Sequence, residues 1–339
     1  MGRKTKMNKL TDADSLAAVC IENRRLVDDY INYLMSTQKS PTTIAVYKND
    51  LDICMVWCVK YNGNKFFVNW SKRDIIALQN WLINDNGNSP ARVRRIKAVL
   101  SSMSNYIESI LDDEYPNFRN IIHKVESPIA QPVREKTVLT DEQIDDLLKS
   151  LSSRNEHEKA CMLALAVHSG RRKSELVRFR VDDFKNENLV CDGALYKTTD
   201  KIKTKGFGCG KFIYCYTLAK DFKPYFDRWM EQRDKDGIKS EWLFPHKDNP
   251  SQQMKSETLN SWAVTFSKML GADFYWHCLR HAFCTRLVRA GLPDGVIQEI
   301  VGWSSADMVK VYTDIDSEEQ IGMWFKNGEI CTDNRGSLK

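Results

Sequence analysis

Four segments in the second half of the chain concentrate cationic, imidazole and phenol side chains. They are Ser169–Leu176 (SGRRKSEL), Lys201–Gly206 (KIKTKG), His277–Thr285 (HCLRHAFCT) and Val301–Thr313, which begins VGWSS and ends VYT. In chain order these segments offer an arginine, a lysine, a histidine, a second arginine and a tyrosine.

This set of side chains suits the cleavage of a phosphodiester bond without a metal ion. A phenol can attack phosphorus and form a covalent intermediate, which conserves the energy of the broken bond for rejoining. The transition state gains negative charge on its non-bridging oxygens, and paired arginines meet that charge with rigid, permanently charged forks. A base must take the proton of the nucleophile, and an acid must protonate the leaving oxygen. The set is therefore chemically sufficient if folding brings its members together.

The spacing within two of the segments supports a shared site. His277 and Arg280 are three residues apart, so they lie on one face of a helix. The apolar residues that would anchor the opposite face are Leu279, Phe283 and Leu287. Arg172 and Glu175 are also three residues apart, so the carboxylate of Glu175 can orient the guanidinium group.

The composition is that of an ordinary globular protein, and the length suggests two domains. The chain has 339 residues, 42% of them hydrophobic, and a net charge of +5 that permits a polyanionic partner. Residues 1–136 hold 20 Lys and Arg against 15 Asp and Glu, whereas the remainder is balanced. A basic first half suits contacts to a nucleic-acid backbone. Because no long apolar run occurs, we expect neither a transmembrane helix nor a secretory signal.

The ten cysteines include no C-x-x-C pair, and no histidine lies at zinc-ligand spacing from a cysteine pair. We therefore expect reduced thiols, no metal site, no cofactor and a cytoplasmic location.

The first half of the chain predicts a four-helix domain. Ser40-Pro41 and Ser89-Pro90 each place an N-cap residue before a proline at the first helical position. Apolar residues then recur at the period of one helix face. These residues are Ile44, Tyr47, Leu51, Cys54 and Cys58 after the first start signal, and Val93, Ile96, Leu100, Met103 and Ile107 after the second. Residues 22–35 and 71–83 are two further helix candidates.

Basic residues crowd the start of the helix after Pro90. They are Arg92, Arg94, Arg95 and Lys97. One interpretation is a face that contacts DNA phosphates or a groove, and the other is an ordinary solvated helix surface.

The second half predicts helices around a small antiparallel sheet. Thr140 and Gln143 form a capping box that starts a helix, and helix continues to about residue 169. Period-two alternation over 211–217 predicts a strand that pairs with 188–203, and helices follow from residue 218. The expected fold is therefore mainly α with a small antiparallel β-sheet.

These segments resemble the conserved boxes of the tyrosine recombinase family, which includes phage integrases, Cre and the Xer proteins. Ser169–Leu176 resembles the box T-G-L-R-x-S-E-L, and His277–His281 matches H-x-L-R-H. Gly302-Trp-Ser-Ser305, with Tyr312 nine residues after Trp303, is similar to the last box. The resemblance covers about 138–315 and extends more weakly to the helical first half.

The resemblance implies a role for each matching residue. Arg172 and Arg280 would be the two arginines that hold the phosphate, although Arg171 stands where the family has an apolar residue. Lys203 would be the general acid for the 5′-oxygen, with Lys205 as the alternative. His277 would accept a proton or donate a hydrogen bond to the phosphate, and Trp303 would donate a hydrogen bond and pack. Glu175 and His281 would support the site. Tyr312 would be the nucleophile that forms a 3′-phosphotyrosine, and Tyr275 is a poor second candidate for that role.

The resemblance also implies a domain organisation and a recombination mechanism. The organisation is a basic tail (1–19), a helical core-binding domain (20–120), a linker (121–139), a catalytic domain (140–316) and a C-terminal segment (317–339). The two domains would clamp duplex DNA at specific sites. A protein that is monomeric or weakly associated when free would form a homotetramer on DNA and exchange strands through a Holliday junction, with or without accessory DNA-bending proteins.

Other interpretations of the same sequence stay open. The C-terminal segment contains 317–325 (SEEQIGMWF), a candidate amphipathic helix that would dock on a neighbouring protomer. The biological role would be that of an integrase, excisionase or invertase of a mobile element. The alternatives are a type IB topoisomerase-like enzyme that relaxes DNA and an inactive DNA-binding remnant.

Overall fold

The computed structural model describes residues 11–129, 139–204, 210–303, 305, 308–309, 325–326 and 329–330. These residues fall into two compact units, one formed by 11–129 and the other by the described residues from 139 onward. Both units are mainly helical, and the sheets of the second unit are small and antiparallel, which confirms the predicted fold class. No helix in the described part of the chain is long and apolar enough to cross a membrane.

The first unit is a bundle of helices around its own core. Its helices are α1 (Ala13–Ala17), α2 (Ile21–Ser36), α3 (Pro41–Tyr61), α4 (Lys72–Asn80) and α5 (Pro90–Ile110). A π-helical turn, Trp81–Asp85, follows α4. The side chains of Ser40 and Ser89 accept hydrogen bonds from backbone N–H groups of α3 and α5, as the start signals predict. The predicted apolar face of α5 is buried throughout, and Leu51, Cys54 and Cys58 of α3 are completely buried.

The first unit extends beyond the predicted core-binding domain at both ends. Helix α1 and the buried Val19 fall within the predicted tail, yet Val19 belongs to the core of the unit. At the other end, a 3₁₀ turn at Ile122–Lys124 falls within the predicted linker, and Ile122 is buried in the same core. Local sequence gave no sign of this packing, because 121–129 has little periodicity of its own.

The second unit surrounds the buried helix α7. Its helices are α6 (Asp141–Ser153), α7 (His157–Ser169), α8 (Lys173–Leu176), α9 (Ala219–Lys235), α10 (Thr258–Leu270), α11 (Trp276–Arg289) and α12 (Asp294–Val301). The Thr140 and Gln143 capping box forms as predicted. Helix α7 packs against α6, α9 and α11, and every residue from Ala160 to Ser169 is buried because its sequence is apolar on nearly all sides.

The predicted sheet is present, but it is divided. Strands β1 (Leu189–Val190), β2 (Leu195–Lys197) and β5 (Tyr216–Leu218) form one antiparallel sheet, and β3 (Ile202–Thr204) pairs with β4 (Lys211–Ile213) in another. The prediction of one strand over 211–217 is therefore wrong. The chain changes partner at Tyr214-Cys215, where the Cys215 N–H donates to the hydroxyl of Thr198.

The described residues near the C-terminus include a short antiparallel pair, β6 (Phe325–Lys326) and β7 (Glu329–Ile330). Phe325, predicted as the last residue of a helix, lies in β6, and 317–324 lie outside the described residues.

Candidate active site

Arg172 is held at the turn between α7 and α8 with part of its side chain open to solvent. Gly170 ends α7 in the left-handed region, with φ of 60°, and Arg172 is the N-cap of α8. Glu175 is fully buried, and its carboxylate accepts from the Arg172 backbone N–H at 3.1 Å and from Nη1 at 3.0 Å. The Arg172 side chain keeps 31% of its surface exposed. Glu175 therefore contacts the Arg172 guanidinium group, and its orienting role in the reaction stays a prediction.

Arg280 lies at the meeting point of two helix C-termini. It extends from α11 and is only 1% exposed. Its Nη1 donates to the carbonyl of Gly170 at 2.9 Å and its Nη2 to that of Val301 at 3.2 Å. These carbonyls end α7 and α12, where the helix dipole favours a cation. These two hydrogen bonds fix the guanidinium group of Arg280 next to the turn between α7 and α8.

Two glycines of the sequence boxes permit this close packing. A methyl group at Gly170 would overlap the ring of Phe283, so α11 could not reach the end of α7. Gly302 has φ of 74° and ends α12. A methyl group there would overlap Ile213 of β4 and lie 3.0 Å from Nη1 of Arg171. Both positions thus need a residue without a Cβ atom.

Arg171 and Trp303 complete the buried side of the site. Arg171 is 1% exposed and its Nη2 donates to the carbonyl of Ile300, near the end of α12. Arg171 therefore faces inward, and Arg172 is the neighbour that reaches solvent. Trp303 is 4% exposed, and the Arg280 guanidinium lies 5.5 Å from the centroid of its ring. This distance is that of a cation–π contact.

The electrostatics of the site favour an anion. Burial lowers the pKa of Arg280, and the charge of Arg172 lowers it further. Desolvation by the surrounding protein also lowers the pKa of His277, as do the charges of Arg280 and Arg172. The Gly170 carbonyl that anchors Arg280 lies two residues before Arg172, and His277 lies three residues before Arg280 on α11, so the three residues belong to one region of the unit. Within the described part of the site, the positive charges of Arg171, Arg172 and Arg280 exceed the one negative charge of Glu175.

His281 lies one helical turn after His277 on α11. The two rings are perpendicular, with centroids 4.8 Å apart. His281 is half-buried, whereas His277 is exposed. The supporting role of His281 stays a prediction.

Lys203 is exposed on β3, next to the elements that hold the arginines. Strand β3 packs against α8, and the Lys203 carbonyl accepts a hydrogen bond from Arg178. The neighbouring Ile202 and Thr204 are buried, which leaves Lys203 directed outward. Lys205 and Tyr312 lie outside the described residues. Among the residues that the structure does describe, no cluster of potential ligands could hold a metal ion.

The basic start of α5 is only partly available for DNA. Lys97 is 5% exposed, and its ammonium group donates to Gln79 Oε1 and to the carbonyls of Val125 and Glu126. The ammonium of Lys97 therefore holds 125–126 against α5, and a DNA contact by this residue stays a prediction. Arg94 is exposed and donates to the Pro128 carbonyl at 3.3 Å.

Arg92 and Arg95 share the buried carboxylate of Asp50, on α3. Arg92 Nη2 lies 2.5 Å from Asp50 Oδ1, and Arg95 donates to both carboxylate oxygens. The Arg95 side chain is 50% exposed and that of Arg92 is 22% exposed, whereas Asp50 is fully buried. Sequence reasoning missed Asp50. Its position four residues before Cys54 was the available signal, because residues four apart share a helix face.

Comparisons with known proteins identify the family of the chain. The family model described as "Phage integrase family" matches residues 137–319. A Bacillus subtilis protein described as an SPbeta prophage-derived recombinase-like protein, YomM, is 28% identical over 276 residues, covering 79% of each chain. The tyrosine recombinase XerC of Caldanaerobacter subterraneus is 24% identical and covers 87% of this chain and 84% of its own length. The solved structure of the Tn1549 transposon integrase in complex with circular intermediate DNA matches with a TM-score of 0.62 at 16% identity, covering 89% of this chain and 99% of that one.

Because the family model spans more than half of its length, the chain belongs to the phage integrase family. The activity class predicted from the sequence boxes, a tyrosine recombinase that breaks and rejoins DNA strands, is confirmed by these matches.

Proposed function

We propose that this enzyme is a site-specific recombinase that cuts duplex DNA by forming a covalent bond between Tyr312 and a 3′-phosphate, and then rejoins the strands. The observation that supports this most strongly is the hydrogen bond from Arg280 Nη1 to the Gly170 carbonyl, two residues before Arg172, because the helix of Arg280 also carries His277. A scissile phosphate is the anion that the region around these residues suits in a member of this family.

In the cleavage step, the phenol oxygen of Tyr312 attacks phosphorus, an O–P bond forms and the P–O5′ bond breaks. His277 accepts the phenol proton, and Lys203 donates a proton to O5′, which leaves as a hydroxyl group. Because its pKa is lowered, the imidazole of His277 is neutral at pH 7, as a proton acceptor must be. Rejoining runs the same transfers in reverse.

The two arginines have different parts in this step. Arg172 is partly exposed and oriented by Glu175, so it donates directly to a non-bridging oxygen. Arg280 is buried and held by two carbonyls, so it supplies a fixed positive charge behind the phosphate. Trp303 packs against Arg280 and keeps it in place. Lys203 is preferred to Lys205 as the acid because it is exposed on β3, the strand that packs against α8.

The proposed substrate is duplex DNA that contains specific recombination sites, and the bacterial relatives support a cytoplasmic enzyme. Arg92, Arg94 and Arg95 of the first unit contribute backbone contacts. Four protomers assemble on two sites and exchange strands through a Holliday junction, with or without accessory DNA-bending proteins. Residues 317–339 dock on a neighbouring protomer. A truncated protein ending at residue 316 would then bind a single site and fail to form synaptic complexes.

The test begins with the DNA site, which sequencing of genomic fragments retained by a Tyr312→Phe variant would provide. A nicked suicide substrate built on that site loses a short fragment after cleavage and traps the covalent complex. We expect the unmodified enzyme to form this complex and Tyr312→Phe to bind the site equally well without forming it. Tyr275→Phe is the matched control and should form the complex normally.

Arginine-to-lysine variants test the roles of Arg172 and Arg280. An ammonium group cannot reproduce the two-pronged donation of a guanidinium group, so both variants should cleave at least about 100-fold more slowly. Normal cleavage by either variant would contradict its assigned role. A plain relaxation assay on supercoiled DNA without the site separates this function from that of a topoisomerase, since a recombinase should leave such DNA supercoiled.

A further inference from the structure

The outer face of the β3–β4 hairpin places an aromatic ring beside the proposed general acid. Lys203 and Phe212 are directly opposed in the register of the two strands. Ile202 and Thr204 flank Lys203 and are buried, so Lys203 and Phe212 share the outward face. Residues opposed in this way have Cβ atoms about 4.5–5.5 Å apart, which brings the ring within contact distance of the lysine stem.

Phe212 is poorly explained as a core residue. It is 53% exposed, which is unusual for a phenylalanine. Its neighbour Ile213 packs against the core of the second unit and against Gly302, so the inner face of β4 is already used for packing. A large ring left on the outer face at this position therefore suggests a role toward the lysine and the bound DNA.

Gly210 provides a second wall for the lysine stem. A Cβ atom at Gly210 would lie 2.7 Å from Cε of Lys203 and 3.3 Å from its Cγ. The stem therefore lies against the bare backbone of Gly210, the diagonal neighbour of Lys203 across the hairpin. With φ of 92°, this position also favours glycine.

We propose that Phe212 is a positioning residue that, together with Gly210, directs the Lys203 ammonium toward the leaving 5′-oxygen. A lysine side chain has a flexible four-carbon stem and would otherwise sample many directions. The ring directly across from Lys203 and the glycine backbone on the diagonal restrict that sampling, and bound DNA covers the exposed ring. This inference rests on the proposed function, in which Lys203 is the acid.

The chemistry of the step makes the inference testable. Lys203 transfers a proton from Nζ to O5′ while the P–O5′ bond breaks. If sulfur replaces that bridging oxygen, the P–S bond breaks to release a thiolate, which can leave without being protonated because a thiol is far more acidic than an alcohol. A variant that only misdirects the acid is therefore slow with the oxygen substrate and normal with the sulfur substrate.

The experiment measures single-turnover cleavage of two suicide substrates that differ only in that bridging atom. We expect Phe212→Ala to be about tenfold slower than the unmodified enzyme on the oxygen substrate, in line with the cost of a small misplacement. On the sulfur substrate the two should agree within about twofold. Phe212→Leu retains apolar bulk and should lose less, and Gly210→Ala, which displaces the stem, should behave like Phe212→Ala.

Tyr214→Ala is the matched control. Tyr214 is another exposed aromatic residue just beyond β4, but its ring contacts the ammonium groups of Lys197 and Lys201 instead. Any loss in this variant should be equal on both substrates. The inference is overturned if Phe212→Ala cleaves both substrates at the normal rate, or if it is slowed equally on both.

Failure of the proposed function gives a different pattern. If the unmodified enzyme forms no covalent complex with either substrate, the recombinase mechanism itself is wrong. If Lys203→Ala is not restored by sulfur, Lys203 is not the acid, and the role of Phe212 fails with it.

Discussion

Replacing Lys97 with methionine should destabilise the first unit rather than weaken a DNA contact. Methionine keeps most of the stem and removes the ammonium group, which donates at 3.0 Å to Gln79 Oε1, at 2.7 Å to the Val125 carbonyl and at 3.0 Å to the Glu126 carbonyl. Burial lowers the pKa of Lys97, so desolvation of the ammonium offsets part of what these bonds contribute. We expect a net loss of about 2–4 kcal/mol in the free energy of unfolding.

Urea unfolding of the full chain measures this loss, and hydrogen exchange shows where it acts. Amides of 121–129 should exchange faster in Lys97→Met, because Val125 and Glu126 lose their anchor. Arg94→Met is the matched control, since Arg94 lies on the same helix but is exposed and should change stability by less than about 0.5 kcal/mol. An unchanged unfolding midpoint together with unchanged exchange in Lys97→Met would refute this account of Lys97.

Three further predictions follow from the second unit. Gly302→Ala should lower the free energy of unfolding by about 2–4 kcal/mol, because the new methyl group overlaps Ile213 and the backbone is strained. The control is Gly291→Ala, with φ of 75° and nothing within 4 Å, which should lose only about 1 kcal/mol in thermal unfolding. Equal losses in the two variants would argue against the overlap. Burial lowers the pKa of His168 to about 4. As the pH falls, the unfolded state therefore takes up this proton at a higher pH than the folded state, and the free energy of unfolding should fall by about 3 kcal/mol between pH 6.5 and pH 4. In His168→Gln this part of the pH dependence in urea unfolding should disappear. Because the pKa of His277 is lowered, the acid limb of the cleavage rate should lie below pH 6.5, and a rate that already declines above that pH would contradict its role as a neutral acceptor.

The parts of the fold that depend on neighbouring residues were predictable from the sequence. The helix starts at Ser40-Pro41, Ser89-Pro90 and Thr140 are set by hydrogen bonds that span three residues, so a short window contains the whole interaction. The apolar face of α5 was predictable for the same reason, because its period is local.

Features that depend on distant partners were not predictable in this way. The alternation over 211–217 is a sound strand signal, but the change of partner at Tyr214-Cys215 depends on Thr198. Lys97 belongs to a basic run that is typical of a DNA-contacting face. Its ammonium nevertheless donates to the carbonyls of Val125 and Glu126, which lie 28 and 29 residues further along the chain. Charge type alone does not separate a buried ammonium from an exposed one.

For the site, the sequence boxes predicted the reacting groups, and the structure adds how Arg172 and Arg280 are held. The inward direction of Arg171 and the outward direction of Arg172 follow from contacts with Ile300 and Glu175, which lie on different elements. The position of Tyr312 relative to these groups is an expectation from the boxes.

Mass spectrometry of the trapped DNA complex tests the central claim most directly. After digestion with trypsin and nuclease, one peptide should retain a nucleotide through its 3′-phosphate, and fragmentation should place that mass on Tyr312. A nucleotide attached to any other residue, or attached through a 5′-phosphate, would contradict the assignment of Tyr312 as the nucleophile of this recombinase.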